Sequence, residues 1–259
     1  MGPAKLVAFV LLLQPSLVLA NPVRVVGGQE CEKDGHRWLG LLQTEEGPYC
    51  GVALISQNWV LSAAHCYESM KLQVRLGVHH RGKPIADEQL RDVDSTFCYP
   101  DAPDTTNSTC PYLGFDAISN DIMLMKLSSP VTYNEHIASI ALPDHDAPMG
   151  TECTIMGWGL TGATNGSYPK VPLCASVNTF HNSVCDVVYP WWDLTDNQLC
   201  AGVLLGGIDT CKGDSGGPLV CGGRIQGVVS FGDDPCGQLL KPGVYTNVYK
   251  YVHWIHRYI

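Results

Sequence analysis

A chain of 259 residues, 45% hydrophobic and 16% charged, has room for one large or two small packed units and is excluded from the disordered class. Its net charge of −9, without any Lys/Arg run, gives no footing for nucleic-acid binding. Twelve cysteines, an even number, fit an oxidising compartment and a disulfide framework.

In chain order, residues 1–20 read as a signal peptide. Lys5 precedes the apolar run Leu6–Leu13, and Val18-Leu19-Ala20 offers small residues where a signal peptidase cuts. That run is too short to span a bilayer, so a soluble, secreted, extracellular protein without a membrane partner is expected. Residues 21–24 read as an activation propeptide. Arg24 stands before Val25-Val26-Gly27-Gly28, and a cut after it frees the α-amino group of Val25. That ammonium can fold inward toward a buried carboxylate, and Asp214 is the obvious partner. Residues 1–24 hold Lys5 and Arg24 and no acid, so their loss takes the net charge from −9 to −11. Residues 25–259 form the mature domain.

From Gly47 the pattern turns to β. Val52–Ile55 and Trp59–Leu61 are short apolar runs around the turn Ser56-Gln57-Asn58, and Leu72, Val74 and Leu76 alternate with polar partners. Ile122–Leu127, Ile137–Leu142, Cys153–Met156, Ile225–Phe231 and Val244–Val248 are further strand candidates. Residues 95–119 read as a long loop. Val248, Val252, Ile255 and Ile259 fall on one face of a C-terminal helix. The spacing fits barrels or a sandwich, not βαβ units. Asn107-Ser108-Thr109 and Asn165-Gly166-Ser167 are glycosylation sequons.

Three stretches carry chemistry. Cys211-Lys212-Gly213-Asp214-Ser215-Gly216-Gly217 sets a serine among glycines that free the backbone to aim N–H groups into an open site. Ser62-Ala63-Ala64-His65-Cys66 sets a histidine after small residues. Asn120-Asp121-Ile122 opens an apolar strand with an acid. Each alone is ambiguous: a glycine-rich turn, a solvated histidine, a strand-edge cap.

In the order His65, Asp121, Ser215 they resemble the trypsin-like serine proteases. Gly157-Trp158-Gly159, Gly213–Pro218 and Ser230-Phe231-Gly232 match as well, and the resemblance covers essentially all of Val25–Ile259. It implies an all-β fold of two six-stranded antiparallel β-barrels with a C-terminal helix and an active site in the cleft between the barrels. Ser215 would be the nucleophile, His65 the general base and acid, and Asp121 its orienting partner. Gly213 and Ser215 would donate the oxyanion N–H groups. Asp209 would lie at the base of the primary pocket with Gly232 and Gly243 as its walls, which implies cleavage after Arg or Lys. The family framework implies pairs Cys31–Cys174, Cys50–Cys66, Cys153–Cys221, Cys185–Cys200 and Cys211–Cys236. Cys98 and Cys110 remain to pair with each other.

The Cys98–Cys110 loop and Asp233-Asp234-Pro235-Cys236 are similar to those of tissue kallikreins, and the loop sequence to lizard-venom kallikrein toxins of the gilatoxin type. Snake-venom serine proteases carry an extra C-terminal cysteine that this chain lacks. The implied function is kinin release from kininogen by a hypotensive venom toxin. The alternatives are cleavage of fibrinogen or another plasma protein, and a catalytically inactive binding homologue. Protein substrates, serine protease inhibitors and a monomeric state are expected, with no cofactor. Phe231 departs from the family's tryptophan. Val78 replaces an acid of the trypsin calcium loop, so no calcium site is expected there despite Asp87 and Glu88. His79 and His80 point to opposite strand faces and are expected to be solvated. Trp191-Trp192 is expected to pack.

Overall fold

A computed structural model describes residues 26–100, 110, 119–162, 166–192 and 194–259. The expected signal peptide and propeptide, with Arg24, Val25, Asn107 and Asn165, lie outside the described residues. In the first half, after a short β1 (Gln29–Glu30), come β2 (Leu39–Thr44), β3 (Gly47–Ser56), β4 (Trp59–Ser62), β5 (Gln73–Leu76), β6 (Gln89–Cys98) and β7 (Met123–Leu127). The last six close an antiparallel barrel in the order β2-β3-β4-β7-β6-β5. The second half supplies β8 (Glu152–Gly157), β9 (Leu173–Phe180), β10 (Gln198–Gly202), β11 (Pro218–Cys221), β12 (Arg224–Phe231) and β13 (Gly243–Asn247). They form a second ring, β8-β9-β10-β13-β12-β11, closed by β11 on β8, while β1 adds to β9. Closure removes the unpaired edges that would otherwise invite association.

The alternation at Gln73-Val74-Arg75-Leu76 does what period two dictates: Val74 and Leu76 are buried, Gln73 and Arg75 half-exposed. β2 lacks alternation because it is covered on both faces. Leu39, Leu41 and Leu42 are all buried, and a Cβ on Gly40 would stand 2.7 Å from Leu76 and 2.9 Å from Val52. β6 hid for the opposite reason. It is mostly polar, and only its end at Thr96 and Cys98 is buried, so Ser95–Cys98 belongs to a strand and not to the expected loop.

Two other expectations are corrected. Ile137–Leu142 is not a strand. Ile137 and Ile140 are buried, but the segment is an inter-barrel connection making single bonds, Ala138 N–H to Arg37 O at 3.1 Å and Ile140 N–H to Leu54 O at 2.8 Å. The C-terminal helix is shorter than its apolar stripe. A 3₁₀ turn (Val248–Tyr251) leads into a single α-turn (Val252–Ile255), and Ile259 is exposed. Trp254 and Ile255 join the core of the first barrel, and the Tyr258 ring lies 4.5 Å from Phe97 and 6.0 Å from Trp59. The end of the chain thus straps the second barrel to the first.

All twelve cysteines are paired, as Cys31–Cys174, Cys50–Cys66, Cys98–Cys110, Cys153–Cys221, Cys185–Cys200 and Cys211–Cys236. Cys31–Cys174 spans 143 residues, and a loop of that order is worth about 5 kcal/mol in the chain-entropy account.

Candidate active site

His65 sits in a 3₁₀ turn (Ala64–Cys66) that follows directly on β4, with Ala64 and Cys66 buried and His65 reaching out. Asp121 precedes β7 and is buried. Its Oδ1 accepts the His65 backbone N–H at 2.9 Å, and its Oδ2 pairs with His65 Nδ1 at 2.7 Å. The second barrel holds this acid. The Ser230 hydroxyl donates to Asp121 Oδ2 at 2.5 Å, and Thr246 Oγ1 donates to the Asp121 carbonyl at 2.6 Å. Tyr251 Oη donates to Asn120 Oδ1 at 2.9 Å and anchors the preceding residue from the C-terminal turn. Burial opposes the imidazolium of His65, but the hydrogen bond and charge of Asp121 outweigh it and hold the ring above its ordinary value. Ser230 and Thr246 had no role assigned from sequence. The Ser230-Phe231-Gly232 motif was the signal for the first; nothing local marked the second.

Ser215 lies in the loop before β11. Its carbonyl accepts the Gly51 N–H of β3 at 2.7 Å, so the loop is docked on the first barrel. Gly213 has φ +96° and Gly216 φ +76°, a region that favours glycine. The N–H groups of Asp214, Gly216 and Gly217 bond to Cys211 O, Val229 O and Asp214 O, all at 2.9 Å. Those of Gly213 and Ser215 have no acceptor among the described residues. Two free N–H groups beside a hydroxyl make a cradle for a negative oxygen.

Asp214 is buried beneath this loop. Its carboxylate accepts N–H from Gly159 at 2.7 Å and from Cys211 at 3.0 Å, and burial lifts it to about 6. Gly157 and Gly159 make room for it: a Cβ on either would stand 2.1 or 2.3 Å from a carboxylate oxygen. Gly159→Ala is therefore expected to displace Asp214 and disorder the loop. The check is loss of fluorophosphonate labelling at Ser215 with an unchanged far-ultraviolet circular dichroism spectrum.

Asp209 is buried too. Its Oδ2 accepts the Gly237 N–H at 2.9 Å, its own N–H donates to Val26 O at 3.0 Å, and desolvation pushes it up to about 6 against those backbone hydrogen bonds. A Cβ on Gly243 would lie 3.3 Å from Asp209 Oδ1, and one on Gly232 would lie 3.9 Å from Gly243 Cα. The two glycines thus face each other above the acid. The neighbouring cavity, about 200 Å³, is bordered by Ser215, Ser230, Gly232 and the Cys211–Cys236 bond. Among the described residues no cation lies on Asp209.

Other expectations resolve individually. Phe231 packs between Tyr189 at 5.8 Å and Trp192 at 5.6 Å, while Trp191 is exposed. His79 is not simply solvated; it bonds to His36 at 3.0 Å and Glu30 at 2.9 Å. In the loop matching the trypsin calcium loop Val78 is fully buried and Glu88 is paired with Arg75 at 2.6 Å, so these residues do not fit a hard cation.

Two antiparallel barrels meeting at a His–Asp pair and a glycine-framed serine are the architecture of a serine endopeptidase. The chain belongs to the trypsin family: the family model described as Trypsin matches residues 25–255. It is 44% identical over 256 residues to the "Beta-fibrinogenase" of Macrovipera lebetinus, covering 98% of this chain and 95% of that one. It is 42% identical over 252 residues to the "Thrombin-like enzyme cerastocytin" of Cerastes cerastes (97% and 93%). It is 43% identical over 251 residues to the "Venom plasminogen activator TSV-PA" of Trimeresurus stejnegeri (97% and 93%). These relatives are snake enzymes, where the Cys98–Cys110 loop and the missing C-terminal cysteine pointed to a lizard-venom kallikrein. Both signals are local and decide little over some 250 aligned residues.

Proposed function

We propose that this chain is a secreted zymogen which, once cut after Arg24, cleaves plasma proteins of the fibrinogen class after Arg or Lys. The observation that carries the specificity is Asp209, buried without a cation under the facing glycines Gly232 and Gly243, beside the cavity that Ser215 borders. A substrate guanidinium or ammonium supplies the missing charge, and Arg gains from its two-pronged geometry.

In the mechanism that fits this geometry, Ser215 Oγ attacks the scissile carbonyl as His65 takes its proton. The tetrahedral oxyanion is received by the N–H groups of Gly213 and Ser215, each such donor being worth about 3–4 kcal/mol. His65 then protonates the leaving amine, and water releases the acyl group by the same steps in reverse. Asp121 holds the Nδ1–H tautomer throughout. The Val25 ammonium, freed by the cut, neutralises Asp214, which burial otherwise holds near 6. Asn107 and Asn165 carry glycans in this reading, and the enzyme works as a monomer.

Fibrinogen is favoured over kininogen by relatives whose names are "Beta-fibrinogenase" and "Alpha- and beta-fibrinogenase OhS1". The kallikrein-like loop closed by Cys98–Cys110 keeps kininogen as the second reading. Cut enzyme is to be incubated with each protein and the released peptides identified by mass spectrometry. Peptides ending in Arg or Lys from fibrinogen, and slower release of kinin, are expected. Fast kinin release with intact fibrinogen would reverse the order. Failure to hydrolyse even an Arg-anilide would defeat the site assignment.

A further inference from the structure

A second cavity, about 180 Å³, borders the same loop on another side and shares no wall residue with the first. Its walls include Tyr49, Cys50, Trp158 and Gly213, together with Arg81 and Tyr168. A peptide with its Arg side chain over Asp209 must lay its scissile carbonyl on the Gly213 N–H. Its leaving-group half then continues past Gly213 and Cys50, so the side chains that follow the scissile bond meet this cavity.

Arg81 is held there from both ends of its backbone. Its N–H donates to Lys170 O at 2.8 Å, and its carbonyl accepts from Arg75 Nη1 at 3.0 Å. Its guanidinium lies 5.4 Å from the centre of the Tyr168 ring. Glu88 is taken by Arg75 at 2.6 Å. Among the described residues the half-buried Arg81 side chain has no hydrogen bond and no carboxylate. In a chain with 25 acids and 16 bases, an arginine stacked, tethered and left without an acid beside the reactive loop is a recognition group without its ligand. The fork of guanidinium donors matches a carboxylate.

We infer that Arg81 is a specificity-determining residue that selects substrates with Asp or Glu at the first or second position after the scissile bond. The inference rests on the proposed roles of Ser215 and Asp209. Its substrate class is an Arg or Lys followed within two residues by an acid.

The test uses internally quenched peptides with one Arg, carrying Glu, Gln or Lys at the first or second following position, and the cut full-length enzyme. Active sites are counted by fluorophosphonate titration, and an Arg-anilide, which has no leaving-group residues, is run in parallel. Wild type should favour Glu over Gln by about tenfold in kcat/KM at one of the positions, mainly through KM, the order of one charge-assisted hydrogen bond. Arg81→Gln should bring that ratio to about one, and Arg81→Glu should invert it in favour of Lys. Arg81→Lys should restore part of the preference, as a structural role alone would not. Tyr168→Leu keeps the charge but removes the ring under it, so the preference should shrink without changing sign. Equal cleavage of the Glu and Gln peptides by wild type, with the anilide hydrolysed, overturns this inference and leaves the proposed function standing. No hydrolysis of the anilide overturns both.

Discussion

Asp121→Asn should lower kcat about 10⁴-fold near neutral pH, the order of loss that a misdirected imidazole causes in triads of this family, with the fold retained. The geometry leaves the amide no good placement. One oxygen of Asp121 takes the His65 backbone N–H and the other faces Nδ1. If the asparagine oxygen serves the backbone, its NH₂ faces Nδ1 and forces the proton onto Nε2, which then cannot accept from Ser215. If its oxygen serves Nδ1–H, its NH₂ opposes the His65 N–H donor to donor. The pH profile should move as well. His65 must be neutral to act as base, so activity rises with pH through its titration. Asp121 holds that midpoint above the ordinary 6.5 of histidine. Without the charge only desolvation remains, and the residual activity should rise at a lower pH. An unmoved midpoint in kcat/KM for an Arg-anilide would count against the pairing.

Asp209→Ser should cost about 10⁴-fold in kcat/KM for Arg and Lys substrates, since a site built to pair a charge rejects strongly when that pair is lost. Fluorophosphonate labelling of Ser215 should survive. Unchanged Arg hydrolysis would refute the pocket assignment. Wild type should also show KM for Arg substrates rising as pH falls through about 6, the value to which desolvation lifts Asp209; the variant should not. Stability has the opposite sign. A carboxyl whose folded value lies above its ordinary 3.8 contributes stability that is complete below that value and is lost as pH rises through about 6. The variant should therefore melt higher than wild type at pH 8, and the gain should vanish near pH 3.

Much of this was legible in residues whose chemistry is local. The motifs around His65, Asp121 and Ser215 identify themselves by order and neighbours, and alternation exposes β5. What stayed hidden has no local pattern to show it. β2 is buried on both faces, and β6 is polar along most of its length, so neither shows a period of two. Ile137–Leu142 has a strand's composition but lies where its N–H groups find scattered partners. Thr246 reaches Asp121 across 125 residues of sequence, and no pattern in one strand predicts it. Gly157 and Gly159 were visible as a motif, but their reason, the carboxylate of Asp214 lying against them, exists only in three dimensions.

The bond from Gly51 N–H to Ser215 O has a consequence for how the molecule fails. On one side of it the Ser62 hydroxyl donates to Gly51 O at 2.8 Å; on the other a Cβ on Gly216 would stand 2.1 Å from that hydroxyl oxygen. The serine proposed as nucleophile is therefore mounted on the seam. Any loosening that lets the barrels part must first release the serine's own backbone, so loss of turnover should precede loss of barrel structure under heat or denaturant. For the same reason a hybrid joining this first barrel to another enzyme's second barrel would inherit both sheets intact and still stand or fall on the fit of a few atoms at that join.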